Sequence, residues 1–577
     1  MNAERLLALY ERVAEAPDAI TRLRRFILDL AVRGKLVPQD PNDEPALELL
    51  KRIAKEKARL VKAGEIRKPK ALSPLEDYDL PFEMPVGWAT APLDQLSPRS
   101  LSDGDWIETK DQSEDGGVRL IQLADVGAGE FLNKSARYIT EETEVRLNCT
   151  RLVPGDILIA RLPNPIGRAC IFPDIGQPAI TAVDVAILRP DENVLSHFLV
   201  LTINSSPIRG QIEAYGKGAT RFRVSTGHLK TVLIPLPPLA EQHRIVAKVD
   251  ELMALCDRLE VARKDREAKR DRLSAASLAR LNTPDPETFT ADARFTLEAL
   301  PALTTRPNQI KQLRQTILNL AVRGKLVPQD PQDEPAPELL TRIIRHEETG
   351  SKKRLFNAEI VVSNQTSLHV LPPSWVWARL DVLAKKITDG EHLSPIKTND
   401  GMKLLTAAHV TAKGLSLDNP QFVSIEDGNR FRNRCDPKRD DLLICSRGTI
   451  GRCAIIDTDE IFCLMGSVIL LRPPSELSSR YLLAYLSTEA TQKLMQGMSG
   501  ATAVKALYLK DIRNCPVPIP PLAEQHRIVA KVDELMALCD RLEASLTTSD
   551  QTRTRLLEAT LTEALTPASI SEMEAAE

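Results

Sequence analysis

The sequence predicts an α+β protein of two tandem pseudo-repeats. Each is an α/β domain followed by a long helix, and the two long helices pair as an antiparallel coiled-coil spacer. Three observations carry this. The stretch LAVRGKLVPQDP stands at Leu30–Pro41 and again, unchanged, at Leu320–Pro331. PPLAEQHRIVAKVDELMALCDRLE runs from Pro237 to Glu260 and returns without a change from Pro520 to Glu543. Between these blocks short β-like runs alternate with Gly/Pro/Asp turns, and the two copies have diverged almost beyond recognition. The blocks are offset by 290 and 283 residues, so the variable middles differ in length by seven.

Residues 1–84 read as an N-terminal helical region. Ile20, Leu23, Ile27 and Leu30 fall at helical spacing, with Gly34 placed as a C-cap. VPQDPNDEPA is a proline-rich turn, and ALELLKRIAKEKARLVKAG a second helix. The first variable domain, 85–236, has strand-like runs at Arg119–Leu123, Ile157–Arg161, Ala169–Phe172 and Val183–Leu188. A long helix occupies 237–283: Pro237-Pro238 opens it, and Ile245, Val249, Leu252, Cys256 and Leu259 repeat at coiled-coil spacing. About 44 helical residues span about 66 Å before Pro284 and Pro286. A linker and second helical region fill 284–370. The second variable domain, 371–519, has runs at Lys403–Ala407, Leu442–Cys445, Cys453–Ile456 and Val468–Leu471. The second long helix covers 520–566, with a flexible tail at 567–577.

Composition narrows the function. No apolar run approaches the roughly 18–20 residues of a membrane span, and the amphipathic N-terminus, MNAERLLALYERVAEAPD, does not read as a signal peptide. Nine cysteines without a CxxC support neither a zinc ribbon nor a disulfide framework. Cys435, Cys445, Cys453 and Cys463 read as buried thiols, with Cys170 aligned to Cys453. No phosphate-binding loop, dinucleotide fingerprint or Asn-Pro-Pro-aromatic motif is found, and Glu108-Thr109-Lys110 and Asp436-Pro437-Lys438 lack an upstream acid for a nuclease site. No catalytic constellation emerges, so no catalytic or metal-binding residue is assigned. The chain reads as a recogniser, not an enzyme. Rival readings are an interaction scaffold that never meets DNA and a chain with a fused methyltransferase.

The order LAVRGKLVPQDP, variable domain, IPLPPLAEQHRIVAKVDEL, present twice, resembles the specificity subunit of Type I restriction–modification systems. Pro85-Val86-Gly87-Trp88 and Pro372-Pro373-Ser374-Trp375 open the variable domains. DG motifs follow at Asp103-Gly104 and Asp389-Gly390. Then come Gly155–Arg161 with Ile166-Gly167-Arg168, and Asp441–Arg447 with Ile450-Gly451. Gly218-Ala219-Thr220 and Gly500-Ala501-Thr502 complete the set. The first domain departs from the pattern, with Arg-Leu-Pro-Asn-Pro-Ile-Gly where the second has Arg-Gly-Thr-Ile-Gly.

The resemblance implies two target-recognition domains, each reading one half of a split sequence in double-stranded DNA. It further implies helices that set the half-site spacing and dock two copies of a methyltransferase subunit, with a restriction/translocase subunit joining the full complex. No cofactor is expected on this chain; S-adenosylmethionine, ATP and Mg2+ would enter through other subunits. The location implied is cytoplasmic and nucleoid-associated, away from membranes.

Candidate DNA-contacting residues are Asp103, Gly104, Asp105, Trp106, Arg161, Asn164, Lys217, Thr220, Arg221 and Arg223 in the first domain. In the second they are Asp389, Gly390, His392, Arg430, Arg432, Arg434, Arg447, Thr449, Thr502, Lys505 and Tyr508. Arg430, Arg432 and Arg434 alternate as on a strand or loop, suiting phosphate contact. Arg161 and Arg447 suit guanine and Asn164 adenine. Partner-facing candidates are Arg33, Lys35, Glu241, Gln242, Arg244 and Lys248, with Arg323, Lys325, Glu524, Gln525, Arg527 and Lys531. Unbroken identity on a helix exceeds what packing requires.

The net charge of -3 fits this reading. Residues 86–236 carry 15 basic and 18 acidic side chains, and 374–518 carry 19 and 16. Neither domain has the excess expected of a protein that grips DNA alone, so a partner is expected to supply phosphate contacts.

Overall fold

The computed structural model describes residues 15–66, 80–218, 222–282, 285, 287–348, 369–498 and 506–565. The chain forms two compact units, 1–265 with 550–577 and 266–549. The long helices are Leu239–Asn282 and Leu522–Leu565, each 44 residues. Each begins in one unit and ends in the other.

Within unit one, the entry helix Ala19–Val32 ends where Gly34 takes φ +64°, and Lys35 N–H returns to the Leu30 carbonyl. That left-handed residue is the reason glycine follows the helix. The variable domain holds two sheets. One has the strand order Ser102–Asp103, Val185–Leu188, Ile157–Ala160, Ala169–Ile171, all antiparallel. The other places Val118–Ile121 between antiparallel Tyr138–Ile139 and parallel Ala179–Thr181. A ribbon of Ala89–Pro92 with Leu233–Leu236 closes the domain at its base.

Unit two repeats this plan and adds a short hairpin, Val410–Thr411 with Gly414–Leu415. Its sheets run Lys386–Asp389, Val468–Arg472, Leu442–Cys445, Cys453–Ile455, and Gln421–Val423, Met402–Leu405, Phe462–Leu464. Val376–Arg379 pairs with Pro516–Ile519. The diverged middles therefore share one topology, and the predicted strands lie within a residue or two of those observed.

The 4-3 seam of each long helix is filled by the entry helix of its own unit. Ile245, Val249 and Cys256 bury against Ile27, Ala31, Trp88 and Phe198. Ile528, Val532 and Cys539 do the same in a core holding Ile310, Ile317 and Ala321. The end of the second long helix adds Leu557 and Leu561 over Ala19 and Phe26 in unit one. Three helices thus meet where the spacing alone suggests two. At about 25 cal/mol per Å² of apolar surface, this burial is the main force holding entry helix to long helix.

Two sequence readings are corrected here. Arg430, Arg432 and Arg434 lie on a helix, Ile425–Arg434, capped by Ser424, and not on a strand or loop. The pairing registers set Ile159 opposite Ala169 and Ile444 opposite Cys453, so Cys170 matches Ala454, one residue away from the expected Cys453. The thiols are buried as expected, Cys453 in part, and desolvation pushes both Cys170 and Cys435 up to about 12. The tail at 567–577 lies outside the described residues.

Candidate nucleic-acid interface

In the first variable domain four segments distant in sequence converge on the DG turn. Gly104 N–H donates to the Val185 carbonyl (2.9 Å), and a Cβ at Gly104 would collide with the backbone of Ala182. Only glycine fits so close an approach. Asp105 N–H donates to Thr181 O (2.8 Å), while its carboxylate accepts from Thr150 N–H (2.9 Å). Burial pushes the Asp105 carboxyl above the usual range. Arg161, at the end of strand Ile157–Ala160, donates to the Asp103 carboxylate. It also donates to the carbonyls of Val224 (3.1 Å) and Val183 (3.0 Å). Thr226 donates to the same Asp103 carboxylate, and Arg223 to the Val183 carbonyl (3.2 Å). Two guanidinium groups thus meet on one backbone oxygen.

The second domain builds the same turn with other residues. Gly390 packs against the Leu464 backbone, and Glu391 N–H donates to Leu464 O (2.8 Å). Asp389 is matched by Arg434 from the helix and by His392 Nε2 (2.9 Å). Ser446 occupies the place of Arg161: Leu507 N–H bonds the Ser446 carbonyl as Val224 N–H bonds that of Arg161.

These positions sort the candidate residues. Arg161 is buried and fully engaged, with desolvation lowering its pKa, so it positions the turn and is not the guanine reader expected. It aligns with Ser446, not Arg447, because the first loop is one residue longer. Arg432 likewise turns inward to the Phe462 carbonyl (2.8 Å). Gly104, Gly390 and Asp105 act through backbone packing and an internal hydrogen bond. Trp106, Asn164 and Lys217 are exposed in the first domain, and His392, Arg430, Arg434, Arg447, Thr449 and Tyr508 in the second. Arg430 is paired with Asp427 (2.7 Å), and Lys510 sits over the Tyr508 ring (5.9 Å). Thr220, Arg221, Thr502 and Lys505 lie outside the described residues.

Sequence reasoning missed the carbonyl of Val183 and the hydroxyl of Thr226. It also missed Arg168, whose guanidinium ties Val126 O (2.7 Å) to Leu123 O (2.7 Å). The repeated Ile-Gly-Arg motif was the available signal for Arg168 and its counterpart Arg452. A backbone oxygen leaves none.

The family described as Type I restriction modification DNA specificity domain matches residues 85–268 and 395–549. The chain belongs to this specificity family. Its relatives include the specificity subunit of the Type I restriction enzyme EcoAI from Escherichia coli, 31% identical over 94% of this chain and 93% of that one. The EcoEI specificity subunit, also from Escherichia coli, is 29% identical over 94% and 93%. A solved chain from a type I R-M system aligns over 84% of this chain and 99% of its own at 20% identity, with a TM-score of 0.48. Among the described residues no helix is long and apolar enough to cross a membrane.

The identical blocks of this specificity subunit do not serve as expected. Glu241 and Gln242 are buried. Glu241 accepts from Trp88 Nε1 (3.0 Å) and Gln39 Nε2 (3.1 Å), and Gln39 also donates to Gly34 O (2.8 Å). Gln242 accepts from Leu195 N–H (2.9 Å), at the start of helix Ser196–Asn204. Arg244 pairs with Asp43 (2.6 Å). Glu524, Gln525 and Arg527 repeat every contact: Trp375 (3.0 Å) and Gln329 (2.9 Å), Ser478 N–H (2.9 Å), and Asp333 (2.6 Å). These six residues latch entry loop, variable domain and long helix together; Glu241, Gln242, Glu524 and Gln525 are buried and turned inward, while Arg244 and Arg527 stay partly exposed. Glu241 precedes Ile245 by one helical turn and shares its inward stripe.

Lys35 donates to the Leu565 carbonyl (2.9 Å) and Arg323 to that of Asn282, each capping the last turn of a long helix. Arg33 lies over the Phe82 ring (4.9 Å). Of the partner-facing candidates Lys35 and Lys325 are exposed, and Lys248 and Lys531 partly so. Lys248 and Lys531 pair with Glu251 (2.9 Å) and Glu534 (2.9 Å) on their own helices.

Proposed function

We propose that each variable domain reads one half of a split double-stranded DNA sequence through the edge centred on its DG turn. One observation carries this: two domains of diverged sequence keep the same backbone convergence at that turn and change the side chains on it. Constant backbone with variable chemistry is what two readouts of one ligand class require. The near-neutral charge of both domains supports a partner supplying much of the phosphate grip.

That partner is a methyltransferase subunit bound in two copies, one per long helix. The latch explains identity at buried positions but not at outward ones. His243, Ala247, Ala254, Leu255 and Arg258 lie on the solvent side, as do their copies His526, Ala530, Ala537, Leu538 and Arg541. A stripe of two alanines and a leucine flanked by a histidine and an arginine, repeated without change, suits two copies of one protein. In the full complex S-adenosylmethionine, ATP and Mg2+ act on other subunits, a restriction/translocase subunit joins, and the assembly works on DNA in the cytoplasm. The scaffold reading leaves the rebuilt DG edges without a purpose.

Selection of duplexes from a randomised pool by the co-purified complex tests the reading. It predicts enrichment of a sequence in two parts with an unread gap; a single block, or none, would sink it. Native mass measurement tests the docking. L255D is expected to lower the methyltransferase stoichiometry from two to one, and L255D with L538D to zero. Retention of both copies removes the stripe from the account.

A further inference from the structure

We infer that Trp106 in the first domain, and Leu393 with Ile396 in the second, are apolar readers that pack against base edges of the target duplex. The inference rests on the DNA reading above and adds the chemistry of contact. Trp106 is 66% exposed, and Leu393 and Ile396 are 74% and 82% exposed. An indole so open to water forgoes the gain that burying an aromatic side chain brings. Each group follows its DG motif by two to six residues, on the same turn of the same topology.

The turns are anchored from behind. Gly104 and Gly390 sit flush on the neighbouring strand ends, and the next residues, Asp105 and Glu391, bond Thr181 and Leu464 through their backbone N–H groups. The apolar side chains therefore project from a fixed base, which reduces the entropy lost on binding.

Charge complementarity selects the occupant. A DG carboxylate facing a phosphate backbone would repel it, yet Asp103 is matched by Arg161, and Asp389 by Arg434 and His392. In the first domain Arg223 is matched by Asp184 (3.6 Å) and Glu108 by Lys110 (2.7 Å), and in the second the exposed Arg447 adds a cation. An apolar tip with its acids neutralised and cations beside it fits a polyanion that offers apolar groups: thymine methyls in the major groove and base faces at a kinked step. An indole in one half and aliphatic groups in the other would prefer different bases.

The test uses the co-purified complex with duplexes selected from the randomised pool, binding being measured across a salt series. W106A is expected to weaken binding about tenfold and to relax preference at one or two positions of a single half-site. The slope of affinity against salt should not change, since no phosphate contact is lost. W106F should restore most of the affinity, and L393A with I396A should act on the other half-site only. Exchange protection at Thr150, bonded to Asp105, checks that the turn stays folded. Unchanged affinity and preference in W106A, or a loss confined to the salt slope, overturns the inference while leaving the DNA reading intact. Failure of the unaltered complex to select any sequence overturns both.

Discussion

In the first variable domain the DG carboxylate is neutralised by a buried guanidinium from a strand end; in the second, an exposed guanidinium on a helix and an imidazole do the same task. At the constant ends, by contrast, Trp88–Glu241–Gln39 and Trp375–Glu524–Gln329 are copies down to the atoms that bond. The difference teaches where this chain tolerates change. Parts that join domain to helix have one solution, used twice. The DG turns keep a backbone and replace the chemistry.

The largest expected effect tests the sameness of the latches. Glu241→Ala strands the buried indole N–H of Trp88, while Gln39 keeps the Gly34 carbonyl, and should destabilise unit one by about 2–3 kcal/mol. Glu524→Ala should cost unit two the same. Hydrogen exchange resolved by unit measures both, and unequal losses would break the equivalence. Burial raises the pKa of both carboxyls. The folded state therefore holds these protons to higher pH than the unfolded chain, and this part of the stability falls as pH rises through the folded values.

The next effect tests the difference between the DG turns. Arg161→Ser gives the first turn the residue of the second without its compensating helix cation. With half of Asp103 in water, the cost should be about 1–2 kcal/mol. Arg434→Ser removes a half-exposed guanidinium from Asp389, which keeps His392, and should cost about 0.5 kcal/mol or less. Thermal melts of the two variants, ranked the other way, would overturn the assignment of buried and exposed neutralisers.

A third contrast is pH-dependent. Burial alone would raise Asp436, but Lys386 and Arg472 hold it at about 2. Its contribution is present above the ordinary aspartate pKa and fades as pH drops towards about 2. Asp436→Asn should weaken unit two at neutral pH and flatten its stability between pH 4 and pH 2, as followed by exchange or fluorescence. An acid limb as steep as in the unaltered protein would contradict this. The smallest effect is capping: Lys35→Met should cost about 0.5 kcal/mol, seen as fraying near Leu565.

Much of the fold was legible because identity and periodicity are one-dimensional signals. The repeats, the long helices and most strands follow from spacing alone. Helical arithmetic also held the fact that Glu241 shares a stripe with Ile245, although identity drew it towards a partner. The DG convergence was less legible. Arg161 looked like a reader because arginine at a loop suits guanine, but its role depends on Val183, Val224 and Asp103, far away in sequence. The Arg430–Arg434 run misled because alternation of arginines resembles a strand, while Ser424 and the acids after it begin a helix.

The central claim is that each DG turn serves its own half of the target. Duplex selection by the complex carrying Arg161→Ser tests it most directly. The account predicts that preference in one half-site is lost, while the other half-site and the gap stay unchanged. Loss in both half-sites, or in neither, would contradict it.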